Sequence, residues 1–535
     1  MGAVFLFHDL YGYLMEMSPD VAELIEAFGD GADTEQTVAA FASRFEGADP
    51  REFVDVLVAH AILIEPDEDE LEMIWAFVPI KGKWNVWHRR GERLILWTAW
   101  GERPVTQVML DPEETAMWDA FDGEKRLAEL RPRFDADKLR ALVRRLVHSD
   151  VQAIKLSMMP WSTYSKRPAM APPYLGSTMP YPVWHVGQPV PATPELAAYH
   201  RDDIADADAQ FDHRETTLAH LLRVPHPALN GRTYGEALID ALHARGAIPD
   251  GHVRILEIGA GLGYVARDAI ARLRALGRNP SYTIVELAPA LAAAQQRHLD
   301  GDVKWKIGDA LDVELPEAAF DLVICNEMVG DLPARKLVRA DLGLEPEGGE
   351  IDPEKLRALG KGGVIAANLA IPLVDAPATF YLQTGAFELT ARIAGWLAPG
   401  GTAVITEFGD TSAWPKLSTH LDHPELSTHF GQLLQILRGC HLDAKLEFVI
   451  DLLDFVRTEK GLVTARSHFR ALQAMFANEG VELAKIGYTP QLLAAAVGDK
   501  LDLASVGELR WDRIEDRLMG LVPHEFKALV AVRAR

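Results

Sequence analysis

The sequence predicts an α/β chain in which a doubly wound, mostly parallel sheet with helical elaborations follows two small α+β units. Three observations lead there. Beyond residue 196, short β-rich runs alternate with alanine-rich helical stretches. Before residue 158, one pattern of residues occurs twice. Between them lies a segment whose prolines are too closely spaced for any helix or central strand to pass through. At 535 residues and 48% hydrophobic, the chain also exceeds what one core usually supports. The expected division is 1–75 and 76–157 for the two units, 158–195 for a linker, and 196–535 for the large domain.

The repeat is read from helix starts. Ser18-Pro19 and Asp111-Pro112 each place a capping side chain before a proline at the first helical position. The apolar residues that follow share one helical face: Leu24, Ile25 and Phe28 in one copy, Met117, Trp118 and Phe121 in the other. The match continues from Val38, Phe41 and Phe45 to Leu127, Leu130 and Phe134, and from Phe53, Val56 and Leu57 to Leu139, Leu142 and Val143. Aromatic-rich extended sequence precedes each copy, over Val4–Met17 and Trp84–Met109, so each unit reads as a hairpin plus three short helices. The linker carries Trp161, Tyr164, Tyr174, Tyr181 and Trp184, too aromatic for a freely solvated tether.

In the large domain, helical sequence over 194–246 leads into strands expected at Val253–Ile258, Tyr282–Glu286, Val303–Ile307, Asp321–Cys325 and Thr402–Glu407, with helices at Tyr264–Leu276 and Pro289–His298. Residues 335–377 and most of 411–505 exceed what such a sheet needs and are expected on the substrate side.

Composition narrows the function classes. A net charge of −24 weighs against holding nucleic acid by its phosphates, which takes a positive surface. No apolar run approaches the roughly 18 residues that span a bilayer, and the N-terminus lacks a signal-peptide pattern. Cys325 and Cys440 are the only cysteines, so neither a disulfide framework nor a thiolate metal site is expected. These features suit a soluble cytoplasmic protein without a metal.

The chemistry is read from strand ends. Glu257-Ile-Gly259-Ala260-Gly261-Leu-Gly263 follows a strand and opens a helix, where glycines turn tightly and let a ligand approach the backbone. The acid two residues before the first glycine would repel a pyrophosphate, but it suits the amino-acid portion and sulfonium of S-adenosylmethionine. Glu286, followed by Leu287, ends the next strand, where a carboxylate can accept both ribose hydroxyls. Asp309, followed by Ala310, comes after the third, where it can accept from an adenine amino group. The fourth ends in Asn326-Glu327-Met-Val-Gly330-Asp331-Leu-Pro333. The expected cofactor is S-adenosylmethionine in a Rossmann-like fold, held by Glu257, Gly259, Ala260, Gly261, Gly263, Glu286, Leu287, Asp309, Ala310 and Asn326.

The Glu-Ile-Gly loop, the Val-Glu-x-x-Pro-Ala run at 285–290, the Asn-Glu segment and the closing MGLVPHEFKAL segment at 519–529 together resemble the MidA-like methyltransferases, over about residues 196–535. That family includes a mitochondrial complex I assembly factor that methylates a protein arginine. Its pattern reads Asn-Glu-x-x-Asp-Ala-Leu-Pro, whereas this chain has Gly330 at the position of the acid and Asp331 one residue on. For a guanidinium acceptor, paired acids must orient the group and help take its proton, which nominates Glu327 and Asp331. For a hydroxyl or carboxyl acceptor a base is wanted, and His429 in Leu-Ser-Thr-His-Phe, similar to a Thr-x-His segment of the family, is the candidate.

The tandem N-terminal units resemble the PqqD-like fold, a small winged-helix domain that grips the leader of a ribosomally made precursor peptide by adding it as a strand to a sheet edge. The resemblance implies capture of a peptide or protein whose side chain, arginine first, is then methylated. Three alternatives stay open at this point: a folded-protein substrate, a small hydroxyl or carboxyl metabolite with the repeats serving a homodimer, and a cofactor-binding assembly factor that escorts a partner.

Overall fold

The computed structural model describes residues 4–8, 13–29, 31–45, 48–59, 62–63, 74–100, 103–148, 150–157, 160–162, 204, 215–299, 303–345, 348–420 and 423–535. They belong to two compact units. One takes residues 1–189 with 464–483 and 494–510; the other takes 190–463 with 484–493 and 511–535. Of the expected linker, only 160–162 fall within the described residues. There Trp161 N–H donates to Gly123 O at 2.8 Å and Ser162 Oγ to Glu124 at 2.6 Å.

In the first unit antiparallel strands followed by three helices occur twice, two strands in the first copy and three in the second where a hairpin is expected. Strands Val4–His8 and Tyr13–Met17 precede helices Pro19–Phe28, Thr34–Phe41 and Pro50–Ala59. Strands Asn85–Arg90, Arg93–Thr98 and Thr106–Leu110 precede helices Pro112–Ala120, Leu127–Leu130 and Ala136–Val147. Both helix starts are capped as their sequences predict: Ser18 accepts from Val21 N–H, and Asp111 exchanges hydrogen bonds with Glu114 in a capping box. Each copy has its own core, around Leu24, Val54 and Leu57 in one and Met117, Trp118 and Leu142 in the other. The expected core position Val56 is instead 48% exposed, because the inward face of its helix runs through Val54 and Leu57.

Two C-terminal segments belong to this unit, although sequence alone reads them with the large domain. Helix Arg466–Asn478 buries Phe469, Leu472, Met475 and Phe476 and packs on the sheet of the second copy. Val506–Gly507 pairs with Trp87–His88, so one edge of that sheet is covered by the chain itself and the terminal strand at the other edge is Thr106–Leu110.

The second unit is built on one large sheet. Its strands are β1 (His252–Ile258), β2 (Asn279–Glu286), β3 (Val303–Ile307), β4 (Phe320–Asn326), β5 (Leu397–Asp410), β6 (Leu442–Phe448) and β7 (Phe526–Arg533), in the spatial order β3-β2-β1-β4-β5-β7-β6. Strands β1 to β5 are parallel, and β7 is antiparallel to both neighbours. Thr428–His429 adds a short pairing at the end of β5. The order reverses between β1 and β4, and ligands of such sheets bind at that switch point, beyond the carboxyl ends of the strands. Five expected strands are present, with β5 longer than its sequence suggests. Strands β6 and β7 are additions. In β6, Leu442 and Ala444 are buried and Asp443 and Lys445 exposed, but Leu, Ala, Lys and Glu are helix formers that mask the two-residue period.

The insertion after β4 is tied by one guanidinium. Buried Arg339 donates to the carbonyls of Glu345, Gly348, Val374 and Ala376, closing the segment between the paired strands Arg335–Val338 and Thr379–Leu382. Among the described residues no helix is long and apolar enough to cross a membrane.

Candidate active site

The carboxyl ends of β1, β2, β4 and β5 open into a cavity of about 270 Å³ within the second unit. The loop after β1 forms one wall. Gly259 has φ +67°, and a Cβ there would lie 2.8 Å from Met328 Cγ; Gly261 has φ +54°, and a Cβ there would meet open space. Glycine at 259 is thus forced by packing. At 261 it keeps the backbone bare where the loop faces the cavity.

Glu286 at the end of β2 is 3% exposed. Its Oε1 accepts from Ala288 N–H at 3.1 Å and its Oε2 from Gln295 Nε2 at 3.0 Å; the same Gln295 amide donates to Gly261 O at 2.8 Å. Gln295 therefore locks the carboxylate to the glycine loop, and each oxygen keeps a lone pair for a further donor such as a ribose hydroxyl. Glu257, 1% exposed, accepts from Tyr282 OH at 2.8 Å. Asp309 accepts from Leu311 N–H at 2.8 Å. Burial pushes Glu257 and Glu286 up to about 7.

The β4 end forms the other wall. Asn326 Oδ1 accepts from Tyr234 OH at 2.7 Å and Thr406 Oγ1 at 2.8 Å, which turns its amide nitrogen towards Glu327 Oε1 at 3.4 Å. Glu327 sits at φ +48°, a left-handed conformation that costs a non-glycine residue about 1 kcal/mol or more. Its carboxylate accepts from Leu218 N–H at 3.1 Å and Ala219 N–H at 3.5 Å. Burial, reinforced by the charge of Glu407, pushes it up to about 8.

Of the residues nominated from sequence, Glu257, Gly259, Ala260, Gly261, Glu286, Leu287, Asp309, Ala310, Asn326, Glu327 and Asp331 all line this cavity. Gly263 stands behind the loop, against Gln295 and Leu299. His429 does not line it: the ring packs edge-on against Trp414, and its backbone pairs with the end of β5. Glu215, Tyr234, Glu407 and Glu425 were not nominated. Glu407 lies at the carboxyl end of a recognised strand, and that position was the signal for it.

The cavity is lined by nine carboxylate side chains and by no lysine or arginine among the described lining residues. Such a lining favours cationic ligands. It fits the sulfonium of S-adenosylmethionine, with Glu257, Glu286 and Asp309 placed to hold its polar groups; when bound, that cofactor supplies a methyl group on a positively charged sulfur.

Two predictions arise here. Between pH 6.5 and 8, Glu257, Glu286 and Glu327 ionise in the folded chain, whereas their unfolded counterparts are already charged near pH 4.3. The folded state then holds more protons, so stability falls as pH rises, by about 3 kcal/mol summed over the three groups. Chemical denaturation of the cofactor-free chain at pH 6.5 and 8 measures this, and Glu257→Gln is expected to flatten the slope. The second concerns Gly330, where a Cβ would lie 2.7 Å from Leu426 O. Gly330→Ala is expected to displace the hairpin formed by Leu417–His420 and His423–Leu426 and to cost about 1–3 kcal/mol, read as a lower Tm and faster proteolysis of that hairpin.

A family model described as "Putative S-adenosyl-L-methionine-dependent methyltransferase" matches residues 234–418. An uncharacterized methyltransferase of Mycobacterium tuberculosis is 32% identical over 210 residues, covering 38% of this chain and 87% of the relative. A Mycobacterium bovis protein described in the same words gives the same figures. A Burkholderia thailandensis protein solved with bound S-adenosyl-homocysteine is 19% identical, covering 62% of this chain and 81% of that one, at a TM-score of 0.33. The chain spans about half (52%) of a Haemonchus contortus phosphoethanolamine N-methyltransferase 2, at 14% identity over 56% of its own length and a TM-score of 0.28.

Proposed function

We infer that this chain, which belongs to the S-adenosyl-L-methionine-dependent methyltransferases, methylates a side chain of a captured peptide or protein, with an arginine nitrogen as the acceptor. One observation carries the reading: the cavity that adjoins the glycine loop is lined by carboxylates, Glu215, Glu327, Asp331, Glu407 and Glu425 among them. A guanidinium stays protonated at neutral pH and offers five N–H donors to such acceptors. When bound, the cofactor would give up its methyl group to the acceptor nitrogen and keep the carbon–sulfur electron pair on sulfur, and Glu327 would take the nitrogen's surplus proton. Asn326 holds Glu327 in place, and positioning for in-line attack supplies much of the rate.

Capture is assigned to the N-terminal repeats on their PqqD-like resemblance. The support is the terminal strand Thr106–Leu110, in which Val108 and Leu110 are buried and Met109 is 55% exposed. An extended peptide adding to this edge gains backbone pairing, with side-chain contacts on alternate residues. Capture raises the local acceptor concentration by making the second encounter intramolecular. The natural substrate is then a ribosomally made precursor peptide.

The test is incubation of the full chain with labelled S-adenosylmethionine and each short peptide encoded beside it, followed by mass spectrometry. A peptide gaining one or more methyl units, localised by fragmentation and absent with Glu286→Ala, supports the reading. Cofactor binding with no labelled peptide sends the search to folded proteins and metabolites and leaves the repeats a structural role.

A further inference from the structure

Two glutamates line the cavity where β4 ends and β5 runs on. Asn326 pairs with Thr406 across these parallel strands, and Glu327 N–H donates to Thr406 O at 2.9 Å. The residue after Asn326 is Glu327, just past the end of β4 at φ +48°, and the residue after Thr406 is Glu407, within β5. Glu407 is 4% exposed, and both side chains line the cavity. Backbone N–H groups orient both: Leu218 and Ala219 for Glu327, Gly330 at 3.0 Å and Phe408 at 2.9 Å for Glu407.

Position 330 explains why Glu407 is drawn in. Leu426 O lies 2.7 Å from where a Cβ would stand there, so a side chain at 330 would have to displace that carbonyl, and the bare backbone N–H instead donates to Glu407 Oε2. We propose that Glu327 and Glu407, rather than Glu327 and Asp331, form the carboxylate pair that receives the acceptor cation, Glu407 standing in for the acid that the MidA-like pattern carries at position 330. The assignment rests on the arginine reading above and deepens it. Both carboxylates line the same cavity, and a planar guanidinium fork can donate to more than one carboxylate at once. Two buried carboxylates close together disfavour each other's charge. In keeping with this, Glu327 is held up partly by Glu407. A guanidinium entering beside the pair adds a positive charge and releases that proton.

The test uses the full chain saturated with S-adenosyl-homocysteine and N-acetyl-arginine-N-methylamide as the probe, with affinity measured calorimetrically. Glu407→Gln is expected to weaken the capped arginine roughly 30-fold, the loss of one charge-assisted contact, with S-adenosyl-homocysteine affinity held within about twofold on the same reasoning. Glu407→Asp is expected to recover part of the loss, and Asp331→Asn to lose less than Glu407→Gln. A larger loss with Asp331→Asn, or none with Glu407→Gln, overturns the pair.

A second readout needs no acceptor: infrared titration of the Glu327 carboxyl. The groups acting on Glu327 are Glu407 and Glu215, with the Tyr234 hydroxyl nearby and Asp331 and Glu425 on the same cavity lining. Glu407→Gln is expected to move the Glu327 titration to lower pH, and an unmoved titration overturns the pair. If the titration moves but the unmodified chain does not bind the capped arginine, the arginine reading fails while the coupling of the two glutamates stands, and the assignment of the pair to a guanidinium is overturned with that reading.

Discussion

Glu286→Ala is expected to weaken S-adenosylmethionine binding about 100- to 1000-fold, which is about 3–4 kcal/mol, and to abolish turnover at micromolar cofactor. The carboxylate is pre-aimed by Ala288 N–H and Gln295 Nε2. Two ribose hydroxyls would therefore bind an acceptor that needs no reorganisation, and charged hydrogen bonds contribute about 1.5–3 kcal/mol each. Two measurements separate this from general damage. The cofactor-free variant should be no less stable than the parent at pH 8, because a buried carboxyl pushed up to about 7 is charged there at a cost that alanine removes. The rise in Tm that saturating cofactor produces in the parent should be missing.

Glu327→Gln is expected to lower kcat/KM about 1000-fold while cofactor affinity changes by less than about threefold, the pattern of an interaction made in the transition state rather than with the cofactor. The pH profile gives the sign. Glu327 is pushed up to about 8 and must be deprotonated to orient the acceptor and take its proton. The kcat/KM of the parent should accordingly rise with pH to a plateau above about 8, and in the glutamine variant that limb should vanish. Glu327→Gly, which adopts φ +48° without strain, should be equally inactive but as stable as the parent or more so.

The site was more legible in the sequence than the boundaries of its domains. Strand ends carry the cofactor chemistry in such sheets, and Glu257, Glu286, Asp309 and Asn326 sit one at each of four successive ends, so the β-rich runs alone brought them together. Glu407 falls under the same rule, but in sequence Asp331 competes with it, standing one residue from the acid position of the MidA-like pattern. What decides between the two is Leu426 O above Gly330, nearly a hundred residues away in sequence, and no local pattern registers such a contact. His429 is the converse case: its Leu-Ser-Thr-His-Phe setting is suggestive, yet the ring packs against Trp414. The return of 464–483 and 494–510 to the N-terminal unit was illegible for a related reason. Helix Arg466–Asn478 shows an ordinary apolar face, and periodicity says that a face is buried without saying against what. The caps at Ser18 and Asp111 were read correctly because capping is decided within four residues.

The most direct test of the central claim is the chemical identity of the methylated residue. Label transferred from S-adenosylmethionine to the captured peptide is followed through acid and alkaline hydrolysis and amino-acid analysis. An acid-lined cavity that receives a cation predicts methylarginine, stable to mild base and absent with Glu327→Gln. A base-labile methyl ester, or an O-methyl product that survives Glu327→Gln, would contradict it and place the acceptor among carboxyl or hydroxyl groups.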